Sequence, residues 1–319
     1  RDKYFPPKLM ARLDAMGDVM KNPHGRQYTR DELKEILPDM DIVVTHWGSI
    51  QYDAEMLDCA PKLKLLAHCA GTVAHIASEE CYERGIPVLS ANPIMAKYVA
   101  EGALAYILSG IRAVRAYDGN MRRGLWHQNM PQTRTIVGGE IGLVGLGTVG
   151  RNLLDMLRPF GCTVKVFDPY LPAGALDAWE FAERTSFEEA MNNPVVSIHA
   201  SQTPETYHMI NAEALALMPD GALLVNTARG SLIDIEALIA ELTSGRIRAV
   251  LDVYEREGVP QDERLLACEN NLILQPHLAG MPSGSAMTAA ILDDLDRFLH
   301  GEELHLTVSH SQYIHMTQE

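Results

Sequence analysis

An apolar run, Ile141-Gly-Leu-Val144, passes straight into Gly145-Leu-Gly147-Thr148-Val149-Gly150-Arg-Asn-Leu-Leu, so a G-x-G-x-x-G lies at a strand-to-helix junction. That order of elements admits few folds. Gly145 permits the tight turn, Gly147 lets a pyrophosphate approach the backbone, and Gly150 lets the helix pack close to the strand. The N–H groups of the helix start, with their partial positive charge, then bind an anion without a cation. The expected cofactor contacts are therefore Gly145, Gly147, Thr148, Val149 and Gly150. Eighteen residues beyond Gly150, at the end of the next strand, comes Asp168 in Val166-Phe-Asp-Pro-Tyr170. A carboxylate there accepts both adenosine ribose hydroxyls and repels a 2′-phosphate, and no Arg or Lys follows within the turn, so NAD is favoured over NADP.

The rest of the chain has the same βαβ rhythm. Short Val/Ile/Leu-rich runs at 41–45, 63–67 and 86–90 read as strands, with helices over 8–16 and 29–37. Thr29, followed three residues on by Glu32, forms a capping box. A long helical pattern covers Met95 to Met121, after which strands are expected at 141–144, 163–167, 195–199, 222–226, 247–253 and 272–275. Gly284 to Leu299 reads as a last amphipathic helix, ending at Gly301, with a polar tail behind it. Two α/β domains with parallel sheets follow from this pattern. The chain opens on Arg1 and enters a helical segment almost at once, so an initiating strand is expected to precede it.

Composition narrows the function classes. The 319 residues are 47% hydrophobic and 22% charged, enough for a large buried core and unlike a disordered chain. A formal net charge of −15 argues against a nucleic-acid partner. The five cysteines are odd in number and lack a C-x-x-C pair, so neither a disulfide framework nor a zinc site is expected, and a reducing, cytoplasmic compartment is. The most apolar stretch, Val99 to Val114, carries Glu101 and Arg112 and reads as too interrupted for a membrane span. No secretory signal pattern opens the chain.

Three later segments each begin as an apolar strand and end in polar residues: 224–234, 249–257 and 271–280. Ligands of an open parallel sheet bind beyond the carboxyl ends of the strands, which places Arg229, Asp252 or Glu257, and His277 at one crevice. Oxidation of an alcohol by hydride transfer needs those side-chain types. The hydroxyl proton goes to a base, and a neutral imidazole suits that task near neutral pH. His277 is the expected acid/base, Glu257 the carboxylate that favours its protonated form, and Arg229 the group that grips a substrate carboxylate.

The fingerprint GLGTVG, the segment Ser197-Ile-His-Ala-Ser-Gln-Thr-Pro-Glu-Thr206, the NTARG of 226–230, the DVYEREG of 252–258 and the QPHLAG of 275–280 together resemble the D-isomer-specific 2-hydroxyacid dehydrogenase family. The resemblance covers nearly the whole chain. It implies a Rossmann NAD-binding domain, residues 95–280, inserted in a smaller flavodoxin-like substrate domain formed by 1–94 and 281–319. It also implies an Arg229/Glu257/His277 triad, Asp252 near the nicotinamide carboxamide, and Ala200, Thr227 and Gly280 among the cofactor contacts. A homodimer is implied too, acting on a small 2-hydroxy or 2-oxo acid of the D series, with neither nucleic acid nor membrane as partner. Ala70, Gly71 and Thr72 match the family's substrate loop, although that loop lacks a second glycine and a following Asp and is one residue short. Gly258 stands where the family commonly has Pro.

Rival readings are an NAD-sensing corepressor of the same fold and a dehydrogenase of a phosphorylated acid such as 3-phosphoglycerate. Formate dehydrogenase, which has Gln where Glu257 stands, is disfavoured. His68, Cys69 and His75 flank the substrate loop without zinc-like spacing, so no metal is expected. Trp47 is either a packing aromatic or a pocket wall, and Trp126 either packing or a dimer contact.

Overall fold

A computed structural model describes residues 4–126, 132–258, 260, 262–314 and 316. The chain divides into two compact units, Arg1–Met95 with Ser283–Glu319, and Ala96–Pro282.

The first unit carries a parallel sheet of β1 (Ile42–Thr45), β2 (Leu65–His68) and β3 (Val88–Ser90) in that spatial order. β2 is buried along its whole length, as a central parallel strand with both faces covered must be. Leu66 packs with Met56, Ile76 and Val88 on one face, while Leu65 and Ala67 meet Met287, Ile291 and Leu295 of the helix Gly284–His300 on the other. Among the described residues β1 has a neighbouring strand on one side only. Its residues line a cavity of about 180 Å³ together with Met20, Tyr28 and Tyr52. The capping box at Thr29 forms as the sequence indicates, with both reciprocal bonds present.

The second unit holds seven parallel strands: β4 (Glu140–Val144), β5 (Thr163–Phe167), β6 (Ala182–Arg184), β7 (Val195–Ile198), β8 (Leu223–Asn226), β9 (Arg248–Leu251) and β10 (Leu272–Leu274). Their spatial order is β10-β9-β8-β7-β4-β5-β6. Alternation along the strands divides the core in two, so Leu224 joins Val196 and Leu238 on one face while Leu223 and Val225 join Leu143 and Ile107 on the other. The order reverses direction at β4, whose carboxyl end carries the glycine fingerprint.

Three sequence expectations change. β6 was not expected, because Ala-Glu-Arg has no apolar run; it forms by pairing with β5 at the sheet edge. The long helix is two helices, Asn92–Ile111 and Val114–Arg122, separated by Ala113 in the left-handed region at φ +52°. Continuing the first helix would need the Gly110 carbonyl to accept from Val114. That carbonyl accepts instead from Ala113 N–H at 3.0 Å, which tightens the last turn, and from the buried Arg248 guanidinium at 2.9 Å. Because the first helix begins at Asn92, its 20 residues are long and apolar enough to cross a membrane by length and composition alone. Here Ala100, Ala103, Ile107 and Ile111 pack into the sheet core.

The polar tail is also more ordered than its composition implies. Asp294, fully buried on the helix Gly284–His300, accepts from the backbone N–H groups of His305 at 2.9 Å and Leu306 at 2.6 Å, and from Arg297 at 2.7 Å. The tail then pairs with β3, Ser90 N–H donating to the Leu306 carbonyl and Val308 N–H to that of Val88. Asp294→Ala leaves two buried N–H groups without an acceptor. It is expected to destabilise the chain by about 3 kcal/mol, read from the urea-unfolding midpoint, whereas an unchanged midpoint would show that the tail does not depend on this carboxylate.

Candidate active site

The turn after β4 is fixed by a close approach. Gly145 has φ +91°, and a Cβ there would lie 2.5 Å from the Ala200 nitrogen, so only glycine fits between the turn and the segment leaving β7. Ala200 is thereby placed against the fingerprint. Beyond it Gly147 has open space where a side chain would stand, and Thr148, Val149 and Gly150 open the helix Thr148–Leu157. Asp168, at the end of β5, accepts from the Leu146 N–H and from its own turn at Tyr170 N–H, each at 2.9 Å. The carboxylate thus lies against the fingerprint loop.

The carboxyl ends of β8, β9 and β10 meet through backbone contacts. Arg229 lies two residues beyond the buried Thr227, in a turn held by Asn226, whose amide donates to the Arg229 carbonyl at 2.8 Å and accepts from Ala228 N–H at 3.0 Å. Gly230 then packs so closely on Tyr254 and Glu255 that any Cβ would overlap their backbone. Tyr254 in turn donates its hydroxyl to the Gln275 carbonyl at 2.9 Å. The Arg229, Glu257 and His277 segments are therefore stacked in sequence. His277 Nδ1 stands 3.2 Å from Glu257 Oε1, both side chains about half exposed.

The loop bearing His277 is clasped from below. Asp252, 1% exposed, accepts from Leu278 N–H at 2.9 Å, Ala279 N–H at 3.0 Å and the Tyr106 hydroxyl at 3.1 Å, while its own carbonyl accepts from His277 N–H at 2.8 Å. His277 itself sits in the left-handed region at φ +55°, a conformation this web over-determines. The resemblance implies a cofactor-facing Asp252; in the structure three of its acceptor positions serve the protein. One helical turn before Tyr106, Gly102 brings the helix backbone against Ala279, where a Cβ would come within 2.9 Å. Gly280 follows directly. Sequence reasoning did not single out Tyr106, Gly102, Gly230 or Tyr254, whose partners lie far away in the chain.

In the first unit, Ala70, Gly71 and Thr72 follow β2. The Ser90 hydroxyl donates to the Gly71 carbonyl and Ala91 N–H donates to that of Ala70, at 3.0 Å for the latter, which turns these carbonyls inward. Trp47 is partly exposed and packs edge-on to His46, and Trp126 is 67% exposed.

These residues fit a dinucleotide. Gly147 leaves room over the helix start, Asp168 offers a carboxylate beside it, and the Thr227 hydroxyl is buried with no hydrogen-bond partner among the described residues.

Comparison with known proteins agrees with this geometry. Residues 104–279 match the family described as D-isomer specific 2-hydroxyacid dehydrogenase, NAD binding domain. The hydroxypyruvate reductase of Thermotoga maritima is 32% identical over 252 residues, 78% of this chain and 81% of the relative. The D-3-phosphoglycerate dehydrogenase of Methanocaldococcus jannaschii is 31% identical over 86% of this chain, which spans about half of that longer protein, 52%. Among solved structures, a phosphoglycerate oxidoreductase from Rhizobium etli superposes with a TM-score of 0.80 at 26% identity, covering 96% of this chain and 94% of that one.

Asp168 sets a test of cofactor choice. NADH should bind at least about tenfold tighter than NADPH, and Asp168→Ala should narrow that ratio; equal affinities in the unchanged protein, measured by fluorescence titration, would remove the assignment.

Proposed function

We propose, from the premise that the chain belongs to the D-isomer specific 2-hydroxyacid dehydrogenase family and is an NAD-dependent enzyme, that it interconverts a small D-2-hydroxy acid and its 2-oxo acid through Arg229, Glu257 and His277. The observation that carries this reading is the 3.2 Å pairing of His277 with Glu257 at the strand ends that also present Arg229.

Bound NADH supplies the hydride that reduces the carbonyl carbon. His277 delivers the proton to the carbonyl oxygen, completing the hydroxyl, and takes it back in the oxidation direction. Glu257 holds the ring through Nδ1, which leaves Nε2 as the proton-transferring atom. Arg229 binds the substrate carboxylate in two-pronged fashion and stabilises charge developing on the adjacent oxygen. Asp252 and Tyr106 act through the loop, fixing where His277 stands. The residues that would hold the cofactor are Gly145, Gly147, Thr148, Val149, Gly150, Asp168, Ala200, Thr227 and Gly280. The loop Ala70-Gly71-Thr72 is assigned to the substrate, and the two-unit division is read as a substrate unit and a cofactor unit.

Assembly and compartment belong to the same proposal. Val114 and Met121, seven residues apart on one helix, and Trp126 are exposed large apolar side chains of the second unit, and they fit a homodimer contact. Sedimentation should give a dimer. All five cysteines are free and four are buried, which fits a reducing cytoplasmic compartment.

Loss of NADH absorbance against glyoxylate, pyruvate, hydroxypyruvate and phenylpyruvate tests the reaction class. Saturable turnover of at least one acid is expected, and silence across the panel with NADH still bound would sink the enzymatic reading in favour of a sensor. His277→Ala should lower kcat by about a hundredfold or more without loss of NADH binding. Gly230→Ala, which must push Tyr254 and Glu255 aside, should cost a similar factor; full activity in either variant would contradict the assignment.

A further inference from the structure

The tail of the first unit folds back onto the loop assigned to the substrate. Past its pairing with β3, the Ser309 hydroxyl accepts from Gln312 N–H at 3.2 Å while the Gln312 side chain accepts from Ser309 N–H at 2.9 Å, a capping box that opens the single turn His310–Tyr313. That turn sends an aromatic side chain inward. Tyr313 is 9% exposed, joins the cluster that holds Val73, Ile76 and Ala77, and donates its hydroxyl to the Ala77 carbonyl at 3.3 Å. Tyr82 packs against both Tyr313 and His310, with ring centroids 5.1 and 5.3 Å away, and His310 is bonded to Glu79. Met316 packs on the same cluster, its N–H donating to the Tyr313 carbonyl at 3.1 Å and its Sδ accepting from the Thr72 hydroxyl at 3.8 Å.

Two sides of the loop are thereby held by one stretch of chain. Ser90 donates its hydroxyl to the Gly71 carbonyl and its N–H to the Leu306 carbonyl, so a single residue of β3 joins the loop to the start of the tail. The far part of the tail holds the other side, Met316 at Thr72 and Tyr313 at Ala77. Val73 and Ile76, which lie between those contacts in sequence, are wholly buried. Residues 70–77 form neither helix nor strand, so where they stand depends on outside contacts of this kind.

We propose that Tyr313 and Met316 are positioning residues that hold the loop Ala70–Thr72 ready for the oxo acid, an inference resting on the reading of that loop as the substrate-binding one. Arg229, Glu257 and His277 belong to the other unit. Loosening the tail therefore weakens capture of the acid and leaves proton and hydride transfer in place, which raises KM and spares kcat.

Steady-state kinetics on the full chain, with saturating NADH and the 2-oxo acid it reduces best, tests the assignment. Tyr313→Ala and Met316→Ala should each raise KM for the acid by about fivefold or more while kcat stays within about twofold, and NADH affinity should be unchanged by fluorescence titration. Tyr313→Phe, which keeps the ring, and Met316→Leu, which refills the space, should recover most of the loss. A change in kcat in place of KM, or no change in either, overturns the positioning role. Should the alanine variants fail to fold, hydrogen exchange on the unchanged protein decides. With NADH present, oxamate, a carboxylate-bearing mimic of a 2-oxo acid, should slow exchange in 70–77 and in 309–314 together. Slowing in the loop alone overturns the role of the tail and leaves that of the loop standing, whereas slowing in neither overturns both. Silence on every acid overturns the enzymatic reading and this inference with it.

Discussion

A buried carboxylate organises the chemistry-bearing end of the second unit. Asp252 is removed from water, and two backbone N–H groups and a tyrosine hydroxyl satisfy its carboxyl oxygens there. The arrangement is reciprocal. The same bonds hold Leu278 and Ala279 in place, so the residue just before them, His277, is kept at a positive φ that an unsupported histidine rarely adopts. The clasp draws on three parts of the chain: the residue just after β9 is the acid, the segment after β10 supplies the two amides, and the helix Asn92–Ile111 the hydroxyl. Rigidity at His277 is thus a property of the domain core rather than of the loop that carries it.

Close backbone approach does the complementary work. Gly230 allows the turn of Arg229 to lie directly on Tyr254 and Glu255, and Gly102 allows a helix to lie on Ala279. A methyl group at either place would push apart the segments that carry Arg229 and His277 and the backbone they lie on. Tyr254 and Tyr207 add hydroxyl ties, to the Gln275 carbonyl and to Glu255. Glu257 and His277 remain half exposed while Asp252 behind them is buried.

What the sequence made legible follows from how local each signal is. The strands β4, β7 and β8 could be read because each buries a mostly apolar run, β5 because Val164 and Val166 alternate inward, and the fingerprint because its glycines, strand and helix are contiguous. Arg229, Glu257 and His277 stood out as polar residues ending apolar strands. Three things were hidden: β6, the break at Ala113 and the clasp on Asp252. β6 depends on a partner strand, the break on Arg248 reaching a carbonyl 138 positions away in sequence, and the clasp on Tyr106, 146 positions from its acid. None leaves a trace in a window of a dozen residues. The ordered tail was missed for the same reason, since its anchor is a buried Asp294 that local composition marks as a surface residue.

The charge of the chain bears on how such a site works at all. With a formal net charge of −15 the protein repels anions at long range, yet its cofactor and any 2-oxo acid are anions. Its solution uses dipoles in preference to net charge. The helix start above Gly147 offers backbone N–H groups that provide partial positive charge to an anion.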